Sequence, residues 1–306
     1  MSSLSHFITS ALAFLGALFP TVAAVPVPVS IFSPAPPHAT VLFGGDMMFD
    51  RTIRSTMEEE GDDFIFSCLN EILQNADLVV ANLEGPITEH ASMSLGSEIG
   101  TLANFTFTFP LETAALLARH NITLVNLGNN HIQNFGWDGV RSTVTALSHA
   151  GVGYFGDPPH YGVAEEDING VPLTFINYNE FGGNAAAVVA QIKEARVQSR
   201  LPIVYAHWGI EYATTSSAYS RELAHSFIDA GASIVVGSHP HVVQEHEEYR
   251  GSHIYYSLGN FIFDQYWNDT VRTGLMLRVI FNSDGVEHIQ EIPIELRRDR
   301  RTCVIE

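Results

Sequence analysis

Residues 231–244, GASIVVGSHPHVVQ, constrain this chain more than any other stretch. Positions 232–236, ASIVV, are largely apolar and partly β-branched, which reads as a buried strand. The run stops at Gly237, and His239 and His241 follow with Pro240 between them. In extended backbone, side chains two apart point the same way, so the two imidazoles would converge just past the strand. Pro240 removes a backbone donor and narrows the local conformations, which suits a fixed pair of ligands. An isolated H-x-H reads as readily as a turn with two surface histidines. Recurrence separates the readings. Four other apolar runs end in polar clusters: Asp46, Asn82 with Glu84, Asn130 with His131, and His207 with Glu211. In α/β folds the carboxyl ends of strands line one edge, where sites assemble from loops distant in sequence.

Helical patterns lie between the runs. Residues 62–75 carry Phe64, Ile65, Cys68, Leu69, Ile72 and Leu73 at helical spacing, with Asp62 or Asp63 placed to cap. Further helices are predicted over 111–120, 137–151 (closed by Gly151), 184–199 and 218–230. The segment from Ala39 gives a short strand, a Gly-Gly turn and then Asp46. Residues 91–109 read as a loop with a short strand at 107–109, and 151–157 and 171–179 as further strands. Residues 253–264 read as one strand ending at Asn260 and Asp264, and 274–296 as a closing hairpin about NSDG. The expected domain spans 39–296, with 297–306 a basic, solvated tail. It is α/β, with one mixed sheet or two sheets packed face to face between helices.

Composition narrows the partners. Fifteen Lys and Arg face 34 Asp and Glu, for a formal charge of −19, and Lys193 is the only lysine. Such a surface argues against nucleic acid and anionic membranes. An anionic peptide or small-molecule substrate stays open, because a local Arg or a metal can reverse the field in a cleft. Residues 8–19 are apolar and uncharged, with small residues at 22–24, so a signal peptide over 1–24 is expected. No Lys or Arg precedes it, which leaves an uncleaved anchor as the alternative, but the run is short for a membrane span. A Pro-rich leader over 25–38 follows. The chain is therefore expected to be secreted, without a stable membrane anchor. Sequons at Asn104, Asn121 and Asn268 agree with that route. Cys68 and Cys303 could pair or remain two buried thiols.

The strand-end residues are carboxylate, amide oxygen and imidazole, which suit Zn, Mn, Fe or Co. No P-loop and no G-x-S-x-G serine elbow competes with them. GGDMMFDR, NLEGPIT, GNNH, HWGIEY, GSHPHVVQ and YSLGNFIFD, in this order, resemble the CapA family of poly-γ-glutamate capsule proteins. That family is similar to the calcineurin-like metallophosphoesterases. The match covers about residues 39–295. It implies a four-layer α/β/β/α sandwich of two mixed sheets with a metal site at one edge. By this resemblance Asp46 matches the first acid of a D-x-H motif whose histidine is replaced by Met48. Glu84 lies where the bridging acid would come, though its motif differs from the usual G-D. Asn130 and His131 match N-H, His207 the lone histidine, and His239 and His241 the H-x-H pair. One ion would have Glu84, Asn130, His207 and His239. The other would have only Asp46, Glu84 and His241, so one well-held divalent metal (Zn, Mn or Fe) and a weak or vacant second position are expected.

Each residue has a plainer reading beside this one. His207 could be a core histidine, Asn130 a turn residue, and Asp46 a cap or a partner of Arg51. Arg51 could bind a substrate carboxylate or phosphate, or only neutralise Asp50. Glu211 and Tyr212 could contact substrate or lie on the surface, and Asn260 and Asp264 could orient a ligand histidine. The leading expectation is a metal-dependent hydrolase of a γ-glutamyl or other peptide amide, or of a phosphoester. His131 would act as acid or anion stabiliser. A metal-dependent epimerase or lyase, and a non-enzymatic polymer-binding or assembly factor, are the other two expectations.

Overall fold

The strands begin where the sequence places them, but their glycines do something other than turn the chain. In the computed structural model, residues 37–305 are described; the expected signal peptide and nearly all of the Pro-rich leader lie outside them. In chain order the first half runs β1 (Ala39–Met47), α1 (Arg51–Glu60), α2 (Asn70–Gln74), β2 (Leu78–Leu83), α3 (Glu112–Arg119), β3 (Ile122–Asn126), α4 (Gly136–Ala150) and β4 (Gly153–Phe155). The second half runs β5 (Ala164–Ile168), β6 (Val171–Asn179), α5 (Ala185–Val197), β7 (Leu201–His207), α6 (Ala218–Ala230), β8 (Ile234–Ser238), β9 (His246–Tyr249) and β10 (Ser252–Tyr255). The chain closes with β11 (Asn260–Ile262), α7 (Asp269–Arg272), β12 (Thr273–Asn282), β13 (Gly285–Leu296) and β14 (Thr302–Val304).

Two mixed sheets result. One has the order β14-β13-β12-β1-β2-β3-β4, with β11 also pairing with β1; the other has the order β5-β6-β7-β8-β10-β9. Period-two alternation sorts the side chains into layers. Val41, Phe43, Val80 and Leu124 meet Phe175, Ile203, Tyr205 and Val236 between the sheets. Leu42, Val79 and Val125 face the other way, against Ile53, Leu117 and Leu147 of α1, α3 and α4. Ile176, Val204 and Val235 pack on Ile192 and Phe227 of α5 and α6. The architecture is the expected α/β/β/α sandwich.

The strand expected at 107–109 is reduced to an isolated bridge between Phe109 and Ile87, and four further readings change. Gly44 and Gly45 form no turn; β1 runs through them to Met47. A Cβ on Gly45 would sit 1.9 Å from the Gly259 carbonyl oxygen, so glycine serves close backbone approach rather than chain reversal. Here β1 exchanges its antiparallel partner β12 for the parallel β11. Second, residues 253–264 are not one strand: β10 belongs to the second sheet and β11 to the first, so this stretch crosses between them. Third, the helix expected over 62–75 is broken into a 3-10 turn, Asp62–Phe66, and α2. The break carries Cys68, which is disulfide-bonded to Cys303 on β14, with Cα atoms 4.9 Å apart. Fourth, the C-terminal segment is not a free tail, since β14 pairs with β13. Helix α1 was not anticipated because only Ile53 and Met57 face the core, too few to show a period. Among the described residues no helix is long and apolar enough to cross a membrane.

Candidate metal centre

The carboxyl ends of strands from both sheets meet at one edge. In the first sheet, parallel pairing places Asp46 beside Asn82, and Asn82 beside Asn126. In the second, Asn179 pairs with His207, and His207 with Ser238. The loops leaving these ends carry Glu84, Asn130 and His131, and the His239–His241 pair. Six of the expected residues therefore come together: Asp46, Glu84, His207, His239 and His241 are buried, and Asn130 is half-buried beside them.

Two donor groups share one carboxylate. Glu84, His207 and His239 offer ligand atoms within 4.8 Å of one another, and so do Asp46, Glu84 and His241. Asn130 Oδ1 lies 2.8 Å from His207 Nε2, which adds it to the first group. His241 Nε2 is 3.6 Å from Glu84 Oε1. Both Glu84 oxygens and His239 Nδ1 are buried with no hydrogen-bond partner among the described residues. Leaving such groups unpaired is costly, and a divalent cation would satisfy all three atoms at once. Hard oxygen and imidazole donors without thiolate fit Zn, Mn or Fe. Met48, at the position of the absent histidine, is buried in the core, and its sulfur accepts from Asp50 N at 3.0 Å.

The electrostatics follow from burial. Desolvation pushes the Glu84 carboxyl well above the usual carboxylate range, and the charge of Asp46 pushes it further. Desolvation also opposes the charge of Asp46, but His241, His207 and the His239 N–H outweigh it and hold that carboxyl well below the usual range. Burial and the charge of His239 push His207 well down. Burial and then His241 push His239 down to about 4, and burial and then His241 push His131 down to about 3. Burial thus keeps His207 and His239 neutral, the form that binds metal.

The histidine pair converges by another route than strand pleat. His239 has φ 95° and His241 φ 58°, both in the left-handed region that side chains avoid. Asp46 Oδ2 accepts the His239 N–H at 3.0 Å and helps hold this turn. The ring centroids end 6.1 Å apart. Strain of this kind costs about 1–3 kcal/mol per residue and concentrates at functional sites.

The remaining candidates divide. Asn260 Oδ1 lies 3.0 Å from His241 Nδ1, while Asn260 Nδ2 donates to carbonyl oxygens of His241 and Val271. The amide oxygen therefore accepts from Nδ1–H, leaving Nε2 as the ligand atom. Among the described residues Asp264 bonds to no histidine. It pairs with Arg51 at 2.5 Å and accepts from Thr52, because α1 begins directly opposite it. Arg51 neither pairs with Asp46 nor neutralises Asp50, whose partner is Arg54. Its guanidinium carbon lies 5.0 Å from the Phe107 ring centroid and 5.4 Å from that of Phe263. Glu211 is exposed at the rim, where its charge raises Glu84 and Tyr212. Tyr212 is 40% exposed, its ring 6.0 Å from His241. His131 packs against Phe107 with ring centroids 4.4 Å apart and planes tilted by 32°, and its Nε2 is 4.0 Å from Glu84 Oε1.

Apart from Asn82, which the strand-end pattern had marked, sequence reasoning missed a layer of buried amides. Asn82 Nδ2 donates to Asp46 Oδ1 at 2.8 Å, and Asn126 and Asn129 donate to Asn82 Oδ1. Asn177 donates to Asn126 Oδ1 at 2.8 Å. A Cβ on Gly128 would sit 2.1 Å from Asn177 Oδ1, so the glycine of GNNH makes room for this network. The signal was present: Asn177 and Asn179 alternate at the end of an apolar strand, an unusual place for two amides. Phe181 and Trp267, 51% and 60% exposed, also flank the edge; the Phe181 ring is 4.6 Å from His239.

Comparison with known proteins agrees with the family resemblance. The model of a family described as bacterial capsule synthesis protein PGA_cap matches residues 40–265. The PGA biosynthesis protein CapA of Bacillus subtilis is 30% identical over 275 residues, 83% of this chain and 70% of that protein. The capsule biosynthesis protein CapA of Bacillus anthracis is 27% identical over 281 residues, 84% of this chain and 67% of that protein. Among solved structures, TT1561 of Thermus thermophilus aligns with a TM-score of 0.47 and 13% identity, over 80% of this chain and 99% of that one.

Proposed function

The chain belongs to the PGA_cap family of bacterial capsule synthesis proteins, and from that premise we propose that it is a secreted metal-dependent hydrolase of an anionic peptide or γ-glutamyl amide. One observation carries the reading: two donor groups share Glu84, whose buried oxygens have no other partner among the described residues. Glu84, Asn130, His207 and His239 would hold one ion, and Asp46, Glu84 and His241 a second, weaker one. Bound there, a divalent ion supplies Lewis acidity and an acidified water.

The chain's own residues do the rest. Asn260 orients His241, and Asp46 shapes the turn that presents His239. His131 aims Nε2 at the same edge and meets the charge that develops on the substrate. Arg51, fixed by Asp264 and two phenyl rings, supplies positive charge for an anionic substrate group. Secretion is supported by the apolar stretch at 8–19 and by the Cys68–Cys303 bond, which needs an oxidising compartment.

The test is metal analysis of purified protein before and after chelation. Zn or Mn reloading and assays on a γ-glutamyl peptide and an aryl phosphate follow. Metal retention with amide cleavage is expected. Cleavage of the phosphate alone transfers the reading to phosphoesters. Polyglutamate binding with neither metal nor cleavage would replace it with an assembly factor.

A further inference from the structure

We propose that Asn134 locks His131 in the tautomer that carries its proton on Nε2. His131 then serves as a fixed hydrogen-bond donor to the reacting group rather than as a base. The consequence for chemistry rests on the hydrolase reading above; the tautomer itself does not.

Asn134 lies three residues past His131, just before α4, and its backbone N–H donates to the His131 carbonyl at 3.0 Å. Its side-chain Nδ2 is 2.9 Å from the Phe105 carbonyl oxygen and 3.2 Å from His131 Nδ1. A carbonyl oxygen only accepts, so the Asn134 group facing Phe105 must be the NH2. The same NH2 carries a second proton, and it faces His131 Nδ1. That nitrogen must therefore present its lone pair. A neutral imidazole has one ring proton, which is left on Nε2. Nε2 is the atom facing the donor cluster, 4.0 Å from Glu84 Oε1.

The ring cannot exchange its edges without cost. Phe107 packs against it with centroids 4.4 Å apart and planes tilted by 32°, and a flip would point a carbon at the Asn134 amide. A half-buried neutral imidazole with Nε2–H can stabilise an oxyanion or a leaving atom by hydrogen bonding. It has no lone pair on that side to take a proton from Cα. The geometry therefore favours hydrolysis over the epimerase or lyase alternative for this residue. Asn134 touches no reacting atom and is a positioning residue.

The test uses full-length protein labelled with 15N in histidine. Long-range proton–nitrogen correlations report the His131 tautomer near neutral pH, with and without zinc. The wild type should show Nε2–H. N134A should show mixed tautomers, and N134D, whose carboxylate only accepts, should shift the proton to Nδ1. With zinc loaded, N134A should lower kcat about tenfold while KM and metal content hold. Thermal melting of both variants checks that they fold, and N134A alone suffices if N134D does not. A wild-type Nδ1–H tautomer, or an unchanged Nε2–H pattern in N134A, overturns the proposal. Expected tautomers in a wild type that cleaves neither amide nor phosphate would sink the hydrolase reading and leave the Asn134 assignment standing.

Discussion

Three imidazoles at one buried edge resist protonation, and that has a measurable price in acid. His131 and His239 are pushed to about 3 and about 4, and His207 also well down, each chiefly by burial. Unfolded histidines titrate near 6.5, so below that pH the unfolded chain binds protons that the folded chain refuses. Stability then falls as pH drops from about 6.5 toward the folded values, by up to about 1.4 kcal/mol per pH unit for each histidine. Glu84 opposes this, since its raised carboxyl favours the folded state as pH falls toward the usual glutamate value. Three groups against one leave a net loss. Urea midpoints of the metal-free protein should fall between pH 6.5 and 5, and a flat profile would mean that the imidazoles are solvated. Side-chain changes separate the roles. His239→Ala should lower bound metal at least about tenfold, whereas His131→Ala should keep the metal and lose about 10²–10⁴ in kcat. Metal content and turnover measured on the same preparations decide it. At this scale the ligand residues were legible because chemistry follows residue type. Their geometry was not: the His239–His241 turn depends on an Asp46 bond across 193 residues. Asp264 was misassigned because nothing local shows that it faces Arg51.

Strands carry the site, and glycine decides how two of them can approach. At Gly45 the backbone of β1 passes against the Gly259 carbonyl, where the chain crosses from β10 in one sheet to β11 in the other. This contact also places Asn260, the partner of His241, opposite Asp46. Gly45→Ala puts a methyl carbon 1.9 Å from that oxygen, so backbone must move. A loss of about 3 kcal/mol is expected, with weaker metal binding because Asn260 shifts. Denaturation midpoint and metal content should fall together; a normal midpoint would show that the crossing does not depend on this contact. Apolar runs and caps made most strands and α3 to α6 readable from the sequence. The Gly-Gly pair was misread because a turn and a close approach use the same residue. The β10–β11 crossing was misread because an apolar run does not say to which sheet each half belongs.

Over the whole molecule, a formal charge of −19 surrounds a cleft proposed to take an anionic chain. Two fields compete. The distributed negative charge repels a polyanion at range, whereas Arg51 and any bound cation attract it within the cleft. Salt separates them by distance, because the Debye length is about 10 Å at 0.1 M. Raising ionic strength cancels long-range repulsion first and weakens buried contacts least. For a long γ-glutamyl polymer, kcat/KM should therefore rise with salt up to about 0.2 M. For a short neutral amide it should stay nearly level, since it meets neither field. The comparison uses initial rates for both substrates over one salt series with metal held constant. A steady fall for the polymer would show that local attraction dominates, and would place a larger basic surface at the cleft than Arg51 alone provides.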